Sequence, residues 1–359
     1  MPPITALPAV AIVGASPSPE LASAANLALY SSMAVFTIAM LLYAAYLAAL
    51  GPVSGVTSTR EREPAQELVG AGVARQGLAG PAAAARSGDE AGIAADAGVG
   101  AGDEPAGPSV RARKLAGSAF GMTCLATLVL VGSVALRGLA VMRPPWGNMF
   151  EFATAGATAA AVAYCLLARR NRWEWLGLFV VGPVLLTLGT ALLAFYTEAA
   201  ELMPALKSVW LVIHVIVAIL AVGLFVIAFS VGVLYLVKTS REAAPPARPT
   251  FLETLPSAAA LERTAYGLNM VGFILWTFTL VAGAIWAQKA WGSYWTWDPK
   301  EVWTFVVWVV YAAYMHARAT AGWEPRKAMW IALAGFVTII INFAVVNVFF
   351  VGQHSYSGL

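Results

Sequence analysis

The chain has only three histidines in its 359 residues, His214, His316 and His354, and each lies in or beside an apolar segment. Imidazole is a common metal ligand and an axial ligand of haem iron. An ionisable side chain inside a membrane is costly, so it defaults to a functional role. A second chemically loaded stretch is Trp291-Gly-Ser-Tyr-Trp-Thr-Trp-Asp-Pro-Lys-Glu301. It sets three tryptophans, a tyrosine and an Asp-Pro-Lys-Glu run between two long apolar segments. An ordinary interfacial belt places Trp and Tyr singly at helix ends. This density, with Gly292 allowing close approach and Pro299 fixing the turn, describes a built aromatic surface. Flat aromatic faces suit a flat apolar ligand with polar edges. The competing readings are hydrogen-bonded core histidines and an aromatic belt beside a loop.

The elements that must hold these residues are membrane spans. The composition is 60% apolar and 11% charged, which excludes a soluble globular domain. A net charge of +3 is too small to imply a nucleic-acid partner. Cys124 and Cys165 lie in different apolar segments and form no C-x-x-C, so thiol–disulfide chemistry and thiolate metal binding are poor readings. The first 24 residues carry no Lys or Arg, so a secretory n-region is missing. The expected fold is all-α, a polytopic transmembrane helix bundle of about eight spans. The spans are read at about 25–50, 115–142, 152–168, 175–197, 208–237, 264–287, 302–320 and 328–351. The third is short, and the fifth is long enough to tilt or project. Residues 1–50 read as an external N-terminus and first span. The Gly/Ala-rich stretch of mixed charge at 51–114 reads as a disordered cytoplasmic linker. Residues 115–359 read as a seven-span domain with the tryptophan-rich loop at 288–303. The proline-bearing segment 238–256 reads as a second flexible loop.

Basic residues orient the spans. Arg60, Arg62, Arg75, Arg86, Arg111, Arg113 and Lys114 share one side with Arg169, Arg170 and Arg172 if eight spans alternate. The same side takes Lys238, Arg241, Arg248, Arg263, Arg318, Arg326 and Lys327. Arg137, Arg143, Lys207, Lys289 and Lys300 lie on or near the other. The tryptophan-rich loop and both termini are then external. His214, about two turns into span five, and His354, just past span eight, share the loop's side. They can ligate one iron from opposite faces. His316 lies about 15 residues, or roughly 22 Å, from the external start of span seven, and so belongs to a different site.

The string Trp291–Glu301 resembles the WWD signature, WGxxWxWDPKE, nearly completely over eleven positions. That signature marks the CcsA/CcsB-type (ResC) cytochrome c biogenesis proteins and the CcmC and CcmF proteins. The resemblance covers roughly residues 115–359, and a weaker P-x-x-N-x-x-E match falls at Pro145, Asn148 and Glu151. It implies a haem-handling subunit of the System II cytochrome c synthase in the plasma (inner) membrane. In that family an external histidine precedes the signature, another follows it, and an embedded one lies between. His214, His354 and His316 match those positions. Haem b is then the handled ligand, with Trp291, Gly292, Trp295, Trp297 and Asp298 around it. The implied partners are a ResB-type membrane subunit and apocytochrome c, whose C-x-x-C-H thiols add to the haem vinyls. Arg137, Arg143 and Lys289 are candidate partners of the haem propionates, and the loop 143–151 a candidate wall of the pocket. A CcmC-like haem exporter without ligase activity and a non-haem organic-cation transporter are the rivals. A cytochrome b-type quinol oxidoreductase would need two histidine pairs, which three histidines do not supply.

Overall fold

In the computed structural model, the described residues are 18–50, 109–199, 208–243 and 250–354. Every regular element among them is helical. Eight long helices follow in order: α1 (Pro19–Ala49), α2 (Val110–Ala140), α3 (Met149–Asn171), α4 (Gly177–Ala194), α5 (Val209–Glu242), α6 (Ala258–Trp291), α7 (Pro299–Ala319) and α8 (Pro325–Ile340). α8 passes through a π-turn, Ile341–Val345, into a last short helix, α9 (Val346–Phe349).

Local chemistry starts most of these helices. Ser18, Ser109, Asn148 and Ser257 each accept a backbone N–H of the first turn of α1, α2, α3 and α6. These side chains satisfy donors that a helix start leaves orphaned. Pro19, Pro299 and Pro325 open α1, α7 and α8, where a missing N–H costs nothing. Seven of the helices are long and apolar enough to cross a membrane, with α8 counted through to Phe349. The expected seventh span, α7, forms a helix of 21 residues. It falls outside those seven because Lys300, Glu301, His316 and Arg318 dilute it. The third span is longer than expected, at 23 residues, since Asn148 starts it three residues early and it runs three residues further, to Asn171.

α1 lies along α2, and α5 along α6. α3 packs on α4 and α5, while α8 packs on α7 and α5. Small residues permit the closest crossings, as is usual where lipid removes the hydrophobic drive between helices. A Cβ on Gly223 of α5 would stand 3.0 Å from the backbone of Ala160 in α3.

Two boundaries differ from expectation. The stretch 51–114 was expected as linker: 51–108 lies outside the described residues, and α2 already begins at Val110. The segment 238–256 was expected to be flexible, yet α5 continues to Glu242 and a short turn forms at Phe251–Thr254. Lys238 Nζ donates to the carbonyls of Leu252 and Leu255 and ties that turn to α5. The rest of the segment, 244–249, lies outside the described residues.

Alternation of the helices gathers the start of α5, the α6–α7 loop and the residues after α9 at one end of the bundle. The turns α3–α4, α5–α6 and α7–α8, with their basic residues, lie at the other.

Candidate functional site

His214 sits in the second turn of α5 with Nδ1 2.9 Å from the carbonyl oxygen of Thr279 on α6. A carbonyl only accepts, so Nδ1 carries the proton and Nε2 keeps its lone pair. The ring reaches α6 because residue 283 is glycine. A Cβ there would stand 2.8 Å from both Cε1 and Nδ1 of His214. The Trp286 ring lies nearly parallel to the imidazole, with centroids 6.1 Å apart.

His354 is held in the same way by a carboxylate. Its Nδ1 lies 2.9 Å from Oδ1 of Asp298. Asp298 is also the N-cap of α7, accepting from the Lys300 backbone N–H at 2.9 Å and from Gln353 N–H at 2.6 Å. Glu301 closes the capping box by accepting from Asp298 N–H at 3.2 Å. Burial alone would push the Asp298 carboxyl up. The hydrogen bond and charge of His354, with the two backbone donors, outweigh it and hold the carboxyl below its ordinary value. Asp298 is therefore ionised at neutral pH and accepts from His354 Nδ1, and Nε2 has no hydrogen-bond partner among the described residues. A second N–H tied to a carbonyl or a carboxylate is how proteins orient metal-binding histidines. Both histidines are prepared that way.

The aromatic residues divide among different tasks. Trp291, at the end of α6, meets His354 edge-on at 4.9 Å and Trp286 at 4.7 Å. Trp286 is only 2% exposed and also lies 5.7 Å from His354, so it contacts both imidazoles. Trp295 faces a cavity together with both histidines. Trp297 is 77% exposed, points away, and touches Trp295 edge-on at 5.8 Å. Its φ of +61° is a left-handed conformation that bulky side chains rarely adopt. Gly292 departs from its expected role. No atom lies within 4 Å of where its Cβ would be, and its need for glycine comes from a φ of +77° at the C-cap of α6.

The cavity holds about 830 Å³, part of it open to the outside. Its walls are largely apolar, with Trp276, Trp286 and Trp295 among them, and Lys300, Glu301, Thr304 and Asn342 form a polar patch. A second cavity shares His214, His354, Trp286 and Lys300, and is bounded by Trp146, Gly147, Asn148 and Met149. The loop 143–151 thus reaches the histidines. Its charged members do not. Arg137 Nε lies 3.0 Å, and Arg143 Nη1 2.7 Å, from the fully buried carboxylate of Glu151. Arg137 also donates to the Thr197 carbonyl. Expected as propionate partners, these two arginines are instead committed to Glu151. A buried carboxylate demands paired charge, and two guanidinium groups within reach supply it. Lys289, the third candidate, is exposed on α6.

His316 does not join the other two. It lies on the exposed face of α7 with Phe305 and Val309, and its Nε2 is 3.5 Å from Thr320 Oγ1 of its own helix.

Trp286 and Thr279 were not legible as site residues. Trp286 looks like one more apolar residue of a span, and its only signal is a position five residues before Trp291. Thr279 contributes a backbone carbonyl, which carries no sequence signature.

Fold and site together define a multi-pass membrane protein with a histidine- and tryptophan-lined pocket at one end of its helix bundle. Residues 146–354 match the family described as cytochrome C assembly protein, and the chain belongs to that family. The matched stretch opens at Trp146 and closes at His354, both of which border the site. The chain is 34% identical over 268 residues to the cytochrome c biogenesis protein CcsA of Prochlorococcus marinus (strain MIT 9303), covering 66% of this chain and 82% of the relative. It is 32% identical over 265 residues to the CcsA protein of Guillardia theta, covering 67% and 85%. The CcsA protein of Gloeobacter violaceus is 32% identical over 300 residues, covering 67% and 86%.

Proposed function

We propose that this chain is the haem-handling subunit of a System II cytochrome c synthase, acting with a ResB-type membrane partner. One observation carries the reading. Two histidines far apart in sequence each have Nδ1 tied to an acceptor, and both border one aromatic cavity. Among the described residues, no three His, Cys, Asp or Glu side chains converge on a common point. Two imidazoles alone make a poor cage for a bare ion, which takes four or more donors. They suit an iron whose other four donors come from a macrocycle. Flat apolar walls suit the ring of that macrocycle.

In this reading His214 and His354 hold the haem iron through Nε2, and the aromatic walls fix the ring plane. The chain's contribution is orientation, which is itself a large rate term. Each thiol of the apocytochrome C-x-x-C-H adds across a haem vinyl: an S–C bond and a C–H bond form, the S–H bond and the C=C π bond are lost, and no electrons are exchanged with an outside partner. The histidine of C-x-x-C-H then replaces one of the chain's imidazoles and the product leaves. His316, on an exposed helix face, is the point at which a partner subunit supplies the second ligand of an inner haem site.

The test is haem content and spectrum of the single variants. His214→Ala and His354→Ala each lose haem or change its spin state and stop cytochrome c maturation. Added imidazole restores haem binding to both, because each substitution leaves a ligand-sized hole. His316→Ala lowers haem delivery and is not restored in the same way. Two external variants that keep a wild-type low-spin spectrum and still support thioether formation would sink the assignment. A wild-type protein with no haem spectrum would favour the organic-cation reading instead.

A further inference from the structure

We propose that Lys300 is the anion-binding residue of the cavity, its ammonium holding a propionate of the bound porphyrin. The proposal rests on the haem reading above and adds what fixes the ligand's polar edge. Lys300 borders both cavities that share His214 and His354. Its Nζ donates to one acceptor, the carbonyl of Asn342 at 2.7 Å, within the π-turn after α8. An ammonium has three donors, so two remain. Among the described residues no carboxylate lies within 4.0 Å of Nζ.

The acids nearest in sequence serve other donors. Asp298 spends its oxygens on His354, the Lys300 backbone and Gln353. Glu301 Oε2 accepts from Thr296 and from Asp298 N–H. The other basic candidates are elsewhere: Arg137 and Arg143 grip Glu151, and Lys289 is exposed. A cation kept beside an apolar cavity without an anion is costly, and an incoming carboxylate removes that cost. The patch beside it is also incomplete. Asn342 is 4% exposed and Glu301 9%, and Oδ1 of the first and Oε1 of the second are buried without a hydrogen-bond partner. The amide orientation of Asn342 follows from Nδ2 donating to Thr304 Oγ1, whose own proton goes to the Lys300 carbonyl. Two bare acceptors would repel a carboxylate directly. Two bridging waters, each donating one hydrogen to one of these acceptors and the other to the carboxylate, give every group a partner.

The experiment compares haem with its dimethyl ester, in which both propionates are uncharged, on the purified full-length protein. Wild type should bind the free acid roughly ten- to hundredfold more tightly than the ester. Lys300→Gln should lose that preference by weakening for the free acid alone, while the ester affinity and the low-spin bis-imidazole spectrum stay unchanged. Lys300→Arg should keep the preference. Equal weakening for both ligands in Lys300→Gln overturns the proposal, because it marks a structural role. If that variant does not accumulate in the membrane, wild type decides alone: no discrimination between acid and ester overturns the proposal. The two readings fail separately. If His214→Ala and His354→Ala keep the low-spin spectrum, the haem-ligand assignment falls. If they lose it while wild type ignores esterification, only Lys300 is wrong.

Discussion

Asp298 does two jobs with one carboxylate, because it both starts α7 and holds His354. That coupling gives a residue-scale prediction. Asp298→Asn keeps the shape and an acceptor for the helix cap, but removes the charge that favours donation from His354 Nδ1. Loss of such a supporting partner costs about 10–100-fold in metal affinity. Haem affinity of Asp298→Asn should fall by roughly that factor, with α7 intact by circular dichroism. The pH dependence has a definite sign. The carboxyl is held below its ordinary value, so its contribution is present above the ordinary carboxylate range. It is lost as the pH falls through the lowered value. Haem retention in wild type should therefore drop in acid, and Asp298→Asn should lack that component. An unchanged acid profile in Asp298→Asn would show that another group governs the loss. Gly352 shows how tightly this contact is built, since a Cβ there would stand 2.2 Å from Asp298 Oδ2.

At the scale of elements, the loop between α6 and α7 separates three tryptophans that look equivalent in the sequence. Trp291 supports His354, Trp295 borders the cavity, and Trp297 faces outward. An aromatic pair contributes about 0.5–1.5 kcal/mol beyond the area it buries. Trp291→Ala and Trp295→Ala should each lower haem retention several-fold, Trp297→Ala least, and the triple variant severely. Haem content of membrane-extracted protein tests the order; a triple variant with normal haem would return the loop to the role of an interfacial belt. The spans were legible because apolar length is a local property that lipid enforces. The site was legible only where one residue type stands out, as the rare histidines and clustered tryptophans do. Pairings across the bundle were not. The sequence offered Arg137 and Arg143 as candidate propionate partners, and nothing local announced that Glu151 would take both. Likewise Lys238 counted as a loop charge, although it bonds two backbone carbonyls.

At the scale of the whole molecule, what matters is which way the bundle faces, because the histidine pocket must meet a substrate on one side only. Lys238 and Arg318 have partners inside the protein, the latter a 2.7 Å ion pair with Glu262, so they are weaker witnesses than their charge suggests. Setting them aside leaves Arg111, Arg113, Lys114, Arg169, Arg170, Arg172, Arg263, Arg326 and Lys327 exposed at the end opposite the histidines. The histidine end has fewer basic residues, and its two arginines share the carboxylate of Glu151, which offsets one of their two charges. Positive charge is retained on the cytoplasmic side, so the histidine pocket should open outward. The partly buried Cys124 and Cys165 are first replaced by Ala. Single cysteines are then placed at two exposed positions, Lys289 beside the pocket and Ala321 in the α7–α8 turn. On intact cells an impermeant maleimide should label Lys289→Cys, and should reach Ala321→Cys only after permeabilisation. The reverse pattern would invert the molecule, putting the pocket on the side where a secreted apocytochrome cannot reach it, and the proposed function would fall with the topology.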